Sequence, residues 1–238
     1  MNMDWQERTR MLIGEDGVIR LSRATVVVVG IGGVGAYAAE MVVRAGVGRI
    51  VLVDSDTVSE SNLNRQLVAL HSTVGRPKCD VLKERLTDIN PELVCSVVED
   101  YLYEENVAAL LDGLQPDCII DAIDTLSPKI ALIQYCLSHD ITLVSSMGSG
   151  AKMDVTKVRI ADISATRMCP LAHMLRKRLH KLGITEGFTA VYSEEVPMKD
   201  TTVLEESRNK KSQVGSISYL PAVFGCACAQ AAIQGIVK

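Results

Sequence analysis

The stretch Val26-Val-Val-Val-Gly-Ile-Gly-Gly-Val-Gly35 decides the fold. Four β-branched residues run into Gly30, Gly32, Gly33 and Gly35, and Ala36-Tyr-Ala-Ala-Glu-Met then begins a helical pattern. A buried strand, a Gly-rich turn and a helix N-terminus make a backbone cradle for phosphate, faced by amides and the positive end of the helix dipole. By itself a G-x-G-x-x-G turn signals a dinucleotide site, and only weakly. The motifs downstream do not form a dehydrogenase pattern. They are Leu52-Val-Asp-Ser-Asp-Thr-Val-Ser-Glu-Ser-Asn-Leu-Asn-Arg-Gln66, then Gly75-Arg-Pro-Lys78, then Asp121-Ala-Ile-Asp-Thr125. An arginine, a lysine and a second carboxylate around the cradle suit a triphosphate with Mg²⁺.

Outward from this stretch, strand and helix signals alternate. Strands are predicted at Thr25–Val29, Arg49–Val53, Val94–Val98, Cys118–Asp121 and Thr142–Ser145. Helical periods lie between them at Ala36–Ala45, Lys78–Ile89, Glu105–Leu114 and Pro128–His139. That order predicts an α/β fold: a doubly wound, mostly parallel Rossmann-like sheet with right-handed crossovers. Beyond Gly148-Ser-Gly150 comes a C-terminal elaboration. Val155–Ile160 reads as a strand, and Leu171, Met174, Leu175, Leu179 and Leu182 mark one face of a helix. The polar stretch 193–212, broken by Pro197, predicts a mobile loop.

The 238 residues suffice for one α/β domain with a sizeable core. The net charge of -4 is unevenly divided. Residues 1–150 carry 12 Lys/Arg against 21 Asp/Glu, and residues 151–238 carry 13 against 8, giving -9 and +5. A basic second half beside an acidic nucleotide half suggests a docking face for a polyanion. The seven cysteines form no C-x-x-C pair, several lie in apolar runs, and the chain opens without an apolar signal region. A cytoplasmic location is expected. Residues 217–237 are nearly free of charge, but Pro221, Gln230 and Gln234 and the small residues between them predict a buried helix rather than a membrane span.

Together G-x-G-G-x-G, L-V-D-x-D, S-N-L-x-R-Q, G-x-P-K and D-A-x-D resemble the ThiF/MoeB/ubiquitin-activating (E1-like) superfamily, which adenylates carboxylates with ATP. Within it the chain is most similar to the branch of tRNA threonylcarbamoyladenosine dehydratases. The resemblance implies a single domain over residues 1–238. Its parts are an N-terminal helical arm (1–24), a nucleotide-binding core (25–150) and a substrate-facing elaboration (151–238).

Asp54 ends the second strand, roughly 20 residues past the Gly turn, where an acid reaches ribose hydroxyls; Asp56 binds there too or caps the loop. Lys78 follows Pro77 at a helix start, an electrostatically poor place for a free ammonium and a good one for reaching the α-phosphate. The resemblance implies that Arg65 and Gln66 contact the triphosphate, that Asn62 orients the nucleotide, and that Asp124 holds Mg²⁺. Thr125 stands where the family commonly has Asn. It implies further that Arg10 (or Arg8) reaches the partner's nucleotide in a homodimer. Arg65, Lys78, Asp124 and Arg10 are thus the catalytic candidates.

Cys169 carries no motif of an acyl-accepting thiol, and Cys226 and Cys228 lack a second pair for zinc; no structural zinc is expected. Cys169-Pro-Leu-Ala-His-Met-Leu-Arg-Lys-Arg-Leu-His-Lys181 looks like the tRNA branch's P-L-A-x-x-L-R-x-R-L element. Arg176, Lys177, Arg178 and Lys181 are the candidate phosphate contacts to tRNA, with Arg208-Asn-Lys-Lys211 as a supplement. The implied reaction adenylates the carboxylate of N6-threonylcarbamoyladenosine in tRNA, then closes a ring with loss of water, releasing AMP and pyrophosphate. The resemblance also implies a sulfurtransferase-system protein as a helper. The alternatives are activation of a ubiquitin-like sulfur carrier, a NAD(P)-dependent oxidoreductase, and a non-catalytic nucleotide-sensing scaffold.

Overall fold

A computed structural model describes residues 5–204 and 212–238, so the Arg208–Lys211 run lies outside the described residues. The N-terminal arm is α1 (Glu7–Arg23), interrupted at Gly14, whose φ of 74° is non-helical. There follow β1 (Thr25–Val29), α2 (Gly35–Ala45), β2 (Arg49–Val53), α3 (Lys78–Ile89), β3 (Val94–Val98) and α4 (Val107–Leu111). Next come β4 (Cys118–Asp121), α5 (Leu126–Ser138), β5 (Thr142–Ser146), β6 (Val158–Asp162) and α6 (Pro170–His180). The chain continues through β7 (Thr189–Ser193), β8 (Thr202–Leu204) and β9 (Ser212–Val214) to α7 (Tyr219–Val237).

Seven strands form one sheet in the order β3-β2-β1-β4-β5-β7-β6, parallel except for β6 at the edge. All five residues of β1 are buried, as a central parallel strand covered on both faces requires. Alternation along it feeds two cores. Val26 and Val28 join Ile50, Leu52, Ala39 and Phe224 on one face; Val27 and Val29 join Val51, Val53, Leu132 and Leu175 on the other. The strand order reverses direction between β1 and β4, and a crevice opens at such a point beyond the carboxyl ends of the strands. The Gly-rich turn leaves β1 there, and Asp121–Asp124 leaves β4 beside it.

The structure departs from sequence expectation in four places. α4 is shorter than Glu105–Leu114, because Gly113 takes a φ of 84° and ends it. Val155–Lys157 is a 3-10 turn, capped by the Asp154 side chain accepting from the Thr156 amide, and the strand begins only at Val158. Within the stretch expected to form a mobile loop, Ser193 belongs to β7, and β8 pairs antiparallel with β9. Met174 and Leu182, expected on the apolar stripe of α6, are both exposed; Ala172, Leu175 and Leu179 carry its buried face.

The apolar helix α7 is long enough to span a membrane by length and composition. Here it packs on α2, α1 and the sheet and buries Leu220, Phe224, Cys228 and Ala232. Gly225 permits its closest approach: a Cβ there would lie 2.5 Å from the Val34 carbonyl and 2.7 Å from Tyr37 Cβ.

Candidate active site

The crevice at the switch point is a cleft of about 1690 Å³. Its walls include Gly30, Gly32, Gly33, Asp54, Asp56, Asn62, Arg65, Gln66, Lys78, Asp124 and Thr125, so one cavity gathers nearly all the motif residues. Gly35 lies beneath it. A Cβ at Gly35 would sit 1.8 Å from the Gly30 carbonyl, so only glycine lets α2 start this close to the turn. Gly32 has open space instead, its nearest neighbour being Gln66 Nε2 at 3.9 Å from a notional Cβ. Among the described residues, the amides of Gly32, Gly33 and Val34 donate to no protein acceptor. Bare amides lining a cleft at a helix N-terminus suit an anion.

Asp54 braces this turn. Its Oδ2 accepts from the Ile31 amide at 2.5 Å and its Oδ1 from the Asp56 amide at 2.8 Å. Burial pushes its carboxyl above the usual value against the pull of Lys78. Lys78 is buried at the N-terminus of α3, its Nζ 2.8 Å from Asp56 Oδ2, while Asp56 is largely exposed. Asp56 thereby acts as a solvent-side counter-ion that holds the ammonium at the cleft wall. Arg65 Nη1 donates to the Ser61 carbonyl (2.9 Å) and Asn64 Oδ1 (2.7 Å), which folds the guanidinium along its own loop. Asn62 is committed to that loop as well: its Oδ1 accepts from the Ser59 amide in a capping box. Gln66 Oε1 is a buried acceptor with no partner among the described residues, an unmet bond that a ligand donor would satisfy.

Asp124 is exposed at the end of β4, and Thr125 Oγ1 lies 3.3 Å from the Tyr101 hydroxyl. Among the described residues no group of three or more His, Cys, Asp or Glu side chains is placed to cage a metal. Asp124 would hold Mg²⁺ only as the ion is usually held with nucleotides, by one or two carboxylates plus phosphate oxygens.

Other candidates lie elsewhere. Arg10 is on α1, paired with Glu15 at 2.6 Å, and does not line the cleft of its own chain. On α6, Lys177, Arg178 and Lys181 are exposed, whereas Arg176 is half-buried and hydrogen-bonded to Thr166. Cys169 is buried at the start of α6 and lines the cleft. All seven thiols are free, and burial pushes Cys79, Cys118, Cys136 and Cys228 up to about 12.

Two lysines carry no motif that marks them in the sequence. Lys129 is fully buried and donates to Asp121 Oδ2 (2.6 Å), Ser145 Oγ (3.1 Å) and the Ser146 carbonyl (3.0 Å). Asp121 Oδ1 in turn accepts from the Ile123 amide, so the pair ties the ends of β4 and β5 under the cleft floor. Breaking such a buried pair from one side costs about 3–5 kcal/mol. Lys152 lies in the far wall, after β5, and only its place behind Gly148-Ser-Gly150 hints at it.

Comparison with known proteins agrees with this geometry. The profile of the ThiF family matches residues 6–238. The tRNA threonylcarbamoyladenosine dehydratase of Bacillus subtilis is 41% identical over 97% of this chain and 94% of its own length. The crystal structure of the Escherichia coli tRNA N6-threonylcarbamoyladenosine dehydratase in complex with ATP matches at a TM-score of 0.88 and 36% identity, covering 98% of this chain and 94% of that one. The molybdopterin-synthase adenylyltransferase of Escherichia coli is 36% identical, but over 58% of this chain and 54% of its own length. With a match that spans both halves of the sheet and the helix behind it, the chain belongs to the ThiF family.

Proposed function

We propose that this chain is an ATP-dependent dehydratase of N6-threonylcarbamoyladenosine in tRNA. The observation that carries the reading is the single cleft in which bare turn amides, Lys78, Arg65 and Asp124 face a second wall from β5 and α6. One wall suits a triphosphate; the other leaves room for a second, acyl-bearing nucleoside. Relatives matched along nearly their whole length are dehydratases of this name, which supports the tRNA substrate over a sulfur carrier.

A carboxylate oxygen of the threonyl group attacks the α-phosphorus of ATP, the bond to the β-phosphate oxygen breaks, and pyrophosphate leaves. An atom of the same modification then attacks the activated carbonyl and loses its proton. The bond to AMP breaks, so AMP carries away the carboxylate oxygen and the nucleoside has lost one water. The Gly32, Gly33 and Val34 amides receive phosphate oxygens. Lys78 and Arg65 stabilise charge that grows on the phosphates, a role worth about 3 kcal/mol for one contact. Arg65 reaches them by exchanging its loop acceptors for phosphate. Asp54 holds the ribose and Gln66 Oε1 accepts from the bound ligand. Asp124 would hold Mg²⁺, which would supply neutralisation of phosphate charge. Ring closure requires little beyond positioning, because a tethered nucleophile has a large effective molarity.

We also assign a homodimer in which Arg10 reaches across to the partner's nucleotide, a cytoplasmic location, and a sulfurtransferase-system protein as an accessory partner. The free, high-pKa thiols and the reaction itself support this compartment, and the position of Arg10 outside its own cleft supports the trans role. Incubation of the purified protein with ATP, Mg²⁺ and tRNA bearing the modification tests the reading by pyrophosphate release. Release that depends on the modified tRNA is expected; release stimulated instead by a sulfur-carrier protein overturns it.

A further inference from the structure

The second wall of the cleft holds a buried lysine with no carboxylate within ion-pair distance among the described residues. Lys152 is 3% exposed yet lines the cavity. Its Nζ donates to the Gly148 carbonyl at 2.9 Å, and the Cys169 side chain lies beside it. The nearby carboxylate of Glu195 acts on Lys152 only at a distance and is engaged by backbone: it accepts from the Met153 amide at 2.9 Å and the Asp154 amide at 2.7 Å. Among the described residues no carboxylate stands within ion-pair distance of Lys152. Lys78, by contrast, has Asp56. Burying an ammonium without an anion is costly, and an anion entering the cleft supplies what is missing. Burial depresses the proton affinity of this amine, against the opposing pull of Cys169 and Glu195, so the protein alone leaves its charge poorly compensated.

Two anions enter such a cleft, a nucleotide phosphate and the carboxylate to be activated. The phosphate has its donors on the opposite wall, at the Gly-rich turn and α3. The part of the cleft lining that follows β5 and opens α6 includes Met147, Leu171 and Met174 beside Ser146 and Ser149, a mixed surface that suits an acyl-bearing nucleoside better than a triphosphate. Resting on the function proposed above, we infer that Lys152 is the substrate-binding cation that receives the threonyl carboxylate and aligns it for adenylation. An ammonium has three donors, so the Gly148 bond can persist while the carboxylate binds.

The test compares wild type, Lys152→Met and Lys152→Arg on two tRNAs, one with the free threonyl carboxylate and one with that group as its methyl ester. Wild type is expected to bind the acid more tightly than the ester and to release pyrophosphate only with the acid. Lys152→Met is expected to lose that preference and to weaken acid binding by roughly tenfold to a hundredfold, the range of one charge-assisted hydrogen bond. ATP affinity should stay unchanged, which shows the nucleotide wall intact, and Lys152→Arg should recover part of the preference. If Lys152→Met folds, binds ATP and still prefers the acid, the assignment is wrong while the dehydratase reading stands. If wild type itself releases no pyrophosphate with the acid, both fall.

Discussion

Lys78 shows how much the surroundings of one residue decide. Its ammonium is buried at a helix N-terminus, where the dipole repels it, and the carboxylates of Asp56 and Asp54 together with an arriving phosphate make the position favourable. Lys78→Ala and Arg65→Ala are each expected to lower the rate of adenylation by roughly a hundredfold, about 3 kcal/mol of lost charge stabilisation. Thermal unfolding of both variants should remain within about 1 kcal/mol of wild type, since neither side chain packs in either core. Near-normal pyrophosphate release in both would remove them from the phosphate site. These residues are legible because motif spacing marks them: a Gly turn after a strand, an acid at the next strand end, a lysine after Gly-x-Pro. Lys129 and Lys152 are not, since no motif spacing marks either and only the folded chain reveals their burial.

At the scale of the element, α2 is where binding and packing meet. Its first turn forms the cradle, its back packs on α7, and its Glu40 reaches α3. Gly225→Ala would place a methyl 2.5 Å from the Val34 carbonyl, forcing α7 away from the residue whose amide faces the cleft. A loss of about 1–3 kcal/mol in stability is expected from overpacking, together with weaker ATP binding. Unchanged ATP affinity would show that α7 does not support the cradle. Glu40 is buried, with Oε2 2.5 Å from Arg85 Nε and Oε1 2.8 Å from Arg44 Nε. Burial raises its pKa, but the hydrogen bonds and charges of Arg85 and Arg44 outweigh this and hold it below 4.5. A carboxyl depressed in the folded state contributes stability above its unfolded pKa and loses it as pH falls through the folded one. Glu40→Gln is therefore expected to be less stable than wild type at neutral pH by about 1 kcal/mol, because both arginines are half-exposed. The gap should close below 4.5 in melts recorded against pH; a gap that persists in acid would assign the effect to packing.

The central parallel strands are legible at this scale because burial on both faces leaves continuous β-branched runs. β7 is not, since Thr189-Ala-Val-Tyr-Ser193 mixes small and polar residues and owes its place to pairing with β5 and β6. β8 is hidden for a similar reason: a three-residue strand is defined by its partner β9 rather than by its own pattern.

Over the whole molecule, charge is divided as the chain is, acidic around the nucleotide and basic beyond it. The exposed Lys177, Arg178 and Lys181 form one outward cluster of that basic half, around α6; Arg176 is tied to Thr166 and contributes less. Reversing those three to Glu is expected to weaken tRNA binding without changing ATP affinity. The slope of logarithmic affinity against logarithmic salt should flatten by about three units, roughly one per lost phosphate contact. Weaker binding with an unaltered slope would mean damage to α6 rather than lost phosphate contacts.

One cleft uses ATP to remove water from a nucleoside in tRNA. Mass spectrometry of nucleosides from modified tRNA, after incubation with the purified protein and ATP, tests it most directly. N6-Threonylcarbamoyladenosine is expected to disappear in step with AMP formation and to be replaced by a nucleoside lighter by one water. Persistence of the starting nucleoside, while the protein adenylates the C-terminus of a sulfur-carrier protein, would contradict it.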